Sequence, residues 1–308
     1  MNLLALNAEG YRSNGSIGFA INDFDTVITC EPWPENLVMP SVSFCKMEEA
    51  AQLTLFLNDV SEAIRGAISV KVCIEERPGR HAGFGSGTSL RLMLVDALLQ
   101  VNGLELSRSE RVRLSRRGGT SGVGINTYFY GGFVAESGVA NNGLRPTPSA
   151  DKERESFKLP TVIVQQKMPA WFVGIFLADS LACVSGAQES KFFSDNTPIS
   201  QSSVESSVYH AIMGATAAVI DADYQMFAKS VKNIQKLKWK SAEWDIQGAS
   251  VHEAARILYR AGATSVGLSS FGPALYYTGK PIKSDALDEL GRSVISSPNN
   301  VGRVICRV

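Results

Sequence analysis

The chain has 308 residues, 44% apolar and 19% charged, a composition that fits an ordered globular protein with a substantial core arranged as two lobes. Thirty basic residues balance thirty acidic ones, so no global field argues for nucleic acid or an anionic membrane surface, and any anion site is local. Five scattered cysteines without a C-x-x-C pair, and only His81, His210 and His252 as imidazoles, exclude a zinc cluster and point to buried thiols in a reducing cytoplasm.

No basic segment followed by an apolar core marks a signal peptide, and no window reaches the about 18 apolar residues of a membrane span. In chain order, Leu3–Leu6 reads as a strand, Asn14-Gly15 as a turn, and Gly18–Ile21 with Thr26–Cys30 as a hairpin. Glu31–Pro40 reads as a proline-punctuated loop. Apolar spacing through Ala50, Leu53, Leu57, Val60 and Ile64 predicts a helix over Met47–Ile64, and Ile68–Ile74 alternates as a strand.

The stretch Pro78–Leu90, PGRHAGFGSGTSL, then leads into an apolar helix over Leu90–Val101. Strand, glycine-rich turn and helix together suit an anion. Gly83, Gly85 and Gly87 admit positive φ and close backbone approach. The helix start offers amide donors and partial positive charge, and Ser86, Thr88 and Ser89 add hydroxyls. The plainer alternative is a tight turn with Thr88 as N-cap. Ser107 and Glu110 predict a capping box opening a helix to Arg117, whose last turn holds Arg113, Arg116 and Arg117.

A second glycine-rich stretch, Gly118-Gly119-Thr120-Ser121-Gly122-Val123-Gly124, opens Ile125–Tyr130, and Gly131–Ala135 reads as turn plus strand. Ser137–Lys158 is polar and is taken as the lobe boundary, giving lobes 1–158 and 159–308. Thr161–Val164 and Trp171–Leu177 follow as strands. Asp179–Asp195, with Ser185-Gly186, Glu189 and Lys191, reads as irregular. Ser203–Ala222, Tyr224–Gln235 and Val251–Ala261 read as helices. A third glycine/serine stretch, Gly267–Pro273 with Ser269, Ser270 and Gly272, leads to a strand at Ala274–Tyr277. Asp285–Ser293 reads as a helix and Val301–Val308 as a last strand. His210, His252, Phe271 and Trp171 are expected to be structural.

The stretches GFGSGTSL, RRGGTSGVGINTYFYGGF, SGAQESKFF and VGLSSFGP, with RSNGSIGFAI near the N-terminus, resemble in order the GHMP kinase superfamily. They resemble more closely its β-ribofuranosylaminobenzene 5′-phosphate synthase branch, which includes C-nucleoside synthases. The resemblance implies an α+β, GHMP-kinase-like two-lobed fold, with a ribosomal-protein-S5-domain-2-like N-terminal lobe and a ferredoxin-like C-terminal lobe. It also implies one further strand with an Arg-x-His pair ahead of Leu3–Leu6, which this sequence does not include. The kinases carry a catalytic aspartate where this chain has Gly124, and glycine cannot take a proton from a substrate hydroxyl.

The branch's reaction joins C1 of phosphoribosyl diphosphate (PRPP) to the ring carbon of an aromatic or heteroaromatic carboxylic acid, releasing CO2 and diphosphate. Its familiar acceptor is 4-aminobenzoate, and C-nucleoside precursors are the other class. The resemblance implies that Gly83, Gly85, Ser86, Gly87 and Thr88 receive the diphosphate. Gly118, Gly119, Thr120, Ser121 and Gly122 receive the 5′-phosphate. Ser185, Gly186, Ser269, Ser270 and Gly272 line the site. His81 is a donor or general acid, Glu189 a ribose or Mg2+ contact, and Arg117, Arg116 and Lys191 are clamps for the ring carboxylate. Mg2+ travelling with the diphosphate is the one expected cofactor, and a homodimer is the expected assembly. An ATP-dependent small-molecule kinase and a non-catalytic sensor of a phosphorylated metabolite are the other readings.

Overall fold

In a computed structural model of the chain, residues 2–40, 47–78, 82–148, 158–179 and 186–307 are described. In chain order the elements are β1 (Asn2–Ala5), β2 (Arg12–Phe19), β3 (Val27–Glu31), β4 (Leu37–Pro40), α1 (Met47–Ile64), β5 (Lys71–Glu76), α2 (Ser86–Val101), α3 (Arg108–Ser115) and α4 (Val123–Tyr130). Then come β6 (Phe133–Glu136), β7 (Val139–Ala140), β8 (Val162–Gln166), β9 (Val173–Ala178), α5 (Ala187–Asn196) and α6 (Gln201–Val208). The latter runs through a π-helical stretch, Tyr209–Thr216, into α7 (Ala217–Ile220). The chain continues with α8 (Tyr224–Ile234), α9 (Lys238–Asp245), α10 (Ala249–Arg260), β10 (Ser265–Leu268), β11 (Leu275–Thr278), α11 (Asp285–Asp288) and β12 (Gly291–Ser296).

By contact the chain divides into two compact units, a division separate from the lobe boundary expected at residue 158. One unit comprises Phe24–Arg80 and Gly85–Arg117. Its sheet has the order β3-β5-β4, with β4 parallel to β5 through Val38↔Val72. Leu53, Leu57 and Val60 of α1, Leu94 and Leu98 of α2, and Val72 and Ile74 of β5 bury together. Each such side chain contributes about 1.5–3 kcal/mol on leaving water. Helix α2 is buried on most of its circumference, which explains why its sequence is apolar almost throughout.

The other unit comprises Met1–Asp23, His81–Phe84 and Gly118–Val308. One sheet runs β1-β2-β6-β8, with β7 also paired to β2, and a second runs β10-β11-β9-β12, all antiparallel. Phe176, Leu258, Leu275 and Tyr277 centre one core; Leu6, Phe192, Phe193 and Trp239 centre another. Phe271 packs edge-on to Phe192 at 5.0 Å and Trp171 lies 5.1 Å from Phe227 between ring centroids, so both half-buried aromatics pack against buried rings.

Several expectations are corrected. The hairpin of Gly18–Ile21 with Thr26–Cys30 does not form: β2 pairs with β1 and β6, whereas β3 pairs with β5. Asn14-Gly15 is not a chain reversal but a left-handed step inside β2, at φ 69° and 81°, beside the Glu136 backbone. Glu31–Pro40 contains strand β4. Asp179–Asp195 is not irregular throughout, since α5 occupies its second half. The helix expected over Asp285–Ser293 is one short turn, and its second half is β12, paired to β9 along six residues. Residues 301–307 form no strand. Helix α9 was not foreseen. Cys30 and Cys306 are exposed and Cys73 is half-buried, so these thiols are not the buried set expected. No helix among the described residues is long and apolar enough to cross a membrane.

Candidate active site

The glycine-rich turn expected to receive an anion starts α2. Gly85 is the N-cap, left-handed at φ 69°, and no side chain caps the helix. Its carbonyl accepts from the Thr88 amide at 2.9 Å and the Ser89 amide at 3.2 Å. Thr88 is therefore inside the helix and is not its cap, which corrects the plainer sequence reading. The amides of Ser86 and Gly87 belong to the set that a helix start leaves without intrahelical acceptors. A Cβ on Gly87 would sit 3.6 Å from Nη2 of Arg117, so that guanidinium lies along the first turn.

Arg91, one turn further on, was missed by sequence reasoning. It stacks on Phe56 with Cζ 4.6 Å from the ring centroid, and Arg116 lies 5.8 Å from the same centroid. Arg116 pairs with Asp59 at 2.9 Å. Arg91 has no hydrogen-bonding partner among the described residues. Burial, followed by the charges of Arg117 and Arg116, pushes its pKa down to about 10. Three guanidiniums beside a helix N-terminus, with Asp59 as the carboxylate whose field reaches Arg91, form a positive cluster that an anion would relieve. An arginine in a mostly apolar helix, next to a glycine turn, was the available signal.

In the other unit, Gly83 (φ 93°) passes so close to Ser269 that a Cβ would run into the Ser269 carbonyl. The Ser269 hydroxyl donates to the Gly83 carbonyl at 2.9 Å. Ser270 is left-handed at φ 52°, and its carbonyl accepts from buried Lys240 at 3.1 Å. A Cβ on Gly272 would meet Gln247 Oε1 and Leu268 Cδ1 at 2.7 Å. The first and third glycine stretches thus meet at Gly83 and Ser269.

The second glycine stretch is pinned from behind. Arg116, left-handed at φ 55°, caps α3. Gly119 O accepts from Asn14 Nδ2 at 3.3 Å, and the Thr120 hydroxyl donates to Thr147 O at 2.7 Å. Gly122 N donates to Glu136 Oε1 at 3.1 Å, and Gly138 N to Glu136 Oε2 at 2.6 Å. The Ser16 hydroxyl donates to the same carboxylate and lies 2.7 Å from the Ser121 hydroxyl. Glu136 is fully buried, which pushes its pKa up against these bonds and the field of Arg12. Gly124 occupies the second residue of α4.

Glu189 sits in the first turn of α5, where a carboxylate complements the helix dipole. Lys191 is exposed and pairs with Asp195 at 2.9 Å along the helix, the geometry of a solvated surface pair. Gly186 is the N-cap of α5, with open space around it. His252 Nε2 lies 3.1 Å from Trp244 O, and His210 stands edge-on to Tyr209. His81 and Ser185 lie outside the described residues. Among the described residues no three His, Cys, Asp or Glu side chains gather to hold a metal ion.

No protein-family model matches the chain. Three curated archaeal proteins, each named β-ribofuranosylphenol 5′-phosphate synthase, are similar to it in sequence. That of Methanothermobacter thermautotrophicus is 26% identical over 284 residues, covering 90% of this chain and 84% of the relative. That of Archaeoglobus fulgidus is 29% identical, covering 64% and 60%, and that of Methanocaldococcus jannaschii 27%, covering 73% and 70%. Among solved structures, homoserine kinase from Cytophaga hutchinsonii superposes with a TM-score of 0.64 at 14% identity, covering 93% of this chain and 90% of that one. L. major mevalonate kinase gives 0.63 at 14%, covering 98% and 94%. Staphylococcus aureus mevalonate diphosphate decarboxylase gives 0.65 at 13%, covering 97% and 96%. The expected fold is therefore the observed one.

Proposed function

We propose that this chain, a sequence relative of the archaeal β-ribofuranosylphenol 5′-phosphate synthases on a GHMP-kinase fold, is a PRPP-dependent, decarboxylating C-glycosyltransferase. The relatives' product carries a phenol, so the favoured acceptor class is a hydroxybenzoic acid, in place of the 4-aminobenzoate that the sequence resemblance suggested. The ring carbon attacks C1 of the ribose as diphosphate leaves, and CO2 then departs to restore aromaticity.

The observation that carries this reading is the cluster of Arg91, Arg116 and Arg117 at the glycine start of α2. Departure of diphosphate builds negative charge, and donors already aimed at it lower the barrier by a few kcal/mol each, on the order of 3. An oxocarbenium-like ribose needs no covalent nucleophile; it needs the leaving anion held and the ring positioned. Gly124 in the first turn of α4 offers no side chain to deprotonate an alcohol, which disfavours the kinase reading.

The test supplies carboxylate-labelled 4-hydroxybenzoate with PRPP and follows labelled CO2 and diphosphate together. Equal amounts of both, dependent on PRPP, are expected. Diphosphate without CO2, or ATP turnover with a hydroxylated substrate, would replace this function with another.

A further inference from the structure

We infer that Glu136, reached through Ser16 and Ser121, is the base that takes the acceptor's phenolic proton, an assignment that rests on the function proposed above. The geometry fixes the direction of the chain. The Ser16 hydroxyl has one hydrogen, and it goes to Glu136 Oε1. The Ser121 hydroxyl, 2.7 Å from Ser16 Oγ, must therefore be the donor of that contact. Ser121 Oγ accepts from the Val123 amide at 3.3 Å, and an oxygen with two lone pairs retains one for a substrate hydroxyl.

The chemistry asks for such a base. In a 4-hydroxybenzoic acid, the ring carbon that bears the carboxylate lies para to the hydroxyl. Removing the phenolic proton pushes electron density onto that carbon and makes it the nucleophile that C1 needs. The step balances: the proton passes from the phenol to Ser121, a proton passes from Ser121 to Ser16, and one passes from Ser16 to Glu136. The ring carbon forms the bond to C1, the C1–diphosphate bond breaks, and the carboxylate leaves as CO2. The proton on Glu136 returns along the same chain to the product phenolate.

The carboxylate suits this task. It is fully buried in β6, and burial holds its proton affinity above that of a surface glutamate. Arg12 of β2 is the charged group whose field reaches it; β7, β8 and α4 contain no Asp, Glu, Lys, Arg or His. The Gly122 and Gly138 amides hold it in place, so it is a positioned base with a defined outlet at Ser121.

The test compares wild type with Glu136→Gln and Ser121→Ala, using 4-hydroxybenzoate in the presence of inorganic diphosphate. The ultraviolet spectrum of the bound acid reports its ionisation without any turnover. Wild type is expected to bind it as the phenolate near neutral pH and the variants as the phenol. With PRPP supplied, Glu136→Gln is expected to lose about 100-fold in turnover at neutral pH. The loss should shrink as pH approaches about 10, where a phenol ionises unaided; a purely structural defect would not recover. A phenol-form spectrum in wild type, no binding of the acid to wild type, or a loss in Glu136→Gln equal at every pH would overturn the assignment. Phenolate binding without turnover would leave it standing while removing the proposed function. Ser121→Ala removes only a hydroxyl and carries the same comparison should Glu136→Gln not fold.

Discussion

Arg91 and Phe56 are stacked, guanidinium carbon 4.6 Å from ring centroid, with Arg116 on the same ring at 5.8 Å. A cation–π contact of this kind offsets part of the desolvation of Arg91, but it does not neutralise charge. Arg91→Met keeps the apolar stem against Phe56 and removes the charge. Affinity for inorganic diphosphate, measured by calorimetry, is expected to fall at least about tenfold, near the strength of one charge-assisted contact. Ligand-free stability should stay level or rise. The sign follows from a base whose folded pKa, about 10, lies below its ordinary value. Folding then carries a penalty at neutral pH, relieved as pH rises past 10. Wild type should therefore trail Arg91→Met through neutral pH and close the gap in strong alkali. Unchanged diphosphate affinity would detach Arg91 from the anion.

What could be read in advance was local. The capping box of Ser107 and Glu110 is present as expected, and α1 spans the residues its spacing gave, because both are written within a few turns of chain. Strand β4 exists through its parallel pairing with β5, more than thirty residues away, and nothing in a proline-punctuated segment announces that partner. Asn14-Gly15 has the composition of a turn, but its left-handed backbone accommodates the close passage of Gly138. The glycine cradle was visible as spacing. Arg91 was not, because its role depends on Phe56 and Arg117, which sequence distance hides. Glu136 was hidden likewise: its three donors come from β2, the start of α4 and the turn after β6.

Two glycines of the same turn should respond unequally to a methyl group. Gly85 has φ 69° and open space at its Cβ position, so Gly85→Ala meets only left-handed strain of about 1–2 kcal/mol. Gly83→Ala would drive a Cβ into the backbone carbonyl of Ser269 and break the bond from the Ser269 hydroxyl to Gly83 O. Urea denaturation should show Gly83→Ala as clearly the more damaging, by about 2 kcal/mol or more. Equal losses would mean that the Gly83–Ser269 approach does not constrain the turn.

Lys240 and Glu243 form an ion pair with both side chains almost wholly buried. Trp239 Nε1 donates to the same carboxylate at 2.7 Å, while Lys240 also reaches Ser270 O. Burial raises the Glu243 pKa, which Lys240 and Trp239 oppose. Lys240→Met would strand that carboxylate and release Ser270, so a loss of about 3–5 kcal/mol is expected. The double variant Lys240→Met/Glu243→Leu should recover part of it, because the stranded charge goes too. A double-mutant cycle by thermal and urea unfolding measures the coupling, and strictly additive losses would deny that the pair acts as a unit.

Gly124 provides the sharpest separation between a kinase and a glycosyltransferase reading. Its backbone lies in the first turn of α4, where φ is not positive, so an L-residue there meets no left-handed backbone strain. Gly124→Asp places a carboxylate near the helix N-terminus, where the dipole favours it by about 0.3–1 kcal/mol, and replaces a helix-weakening residue. Stability should therefore rise slightly in thermal unfolding. PRPP binding should weaken by about tenfold or more, because the new charge would compete with a phosphate for the same amides. ATP hydrolysis should not appear, since a carboxylate base alone supplies neither nucleotide recognition nor an aligned alcohol. A stabilised variant that still binds PRPP as wild type does would show that no phosphate of the donor uses the start of α4.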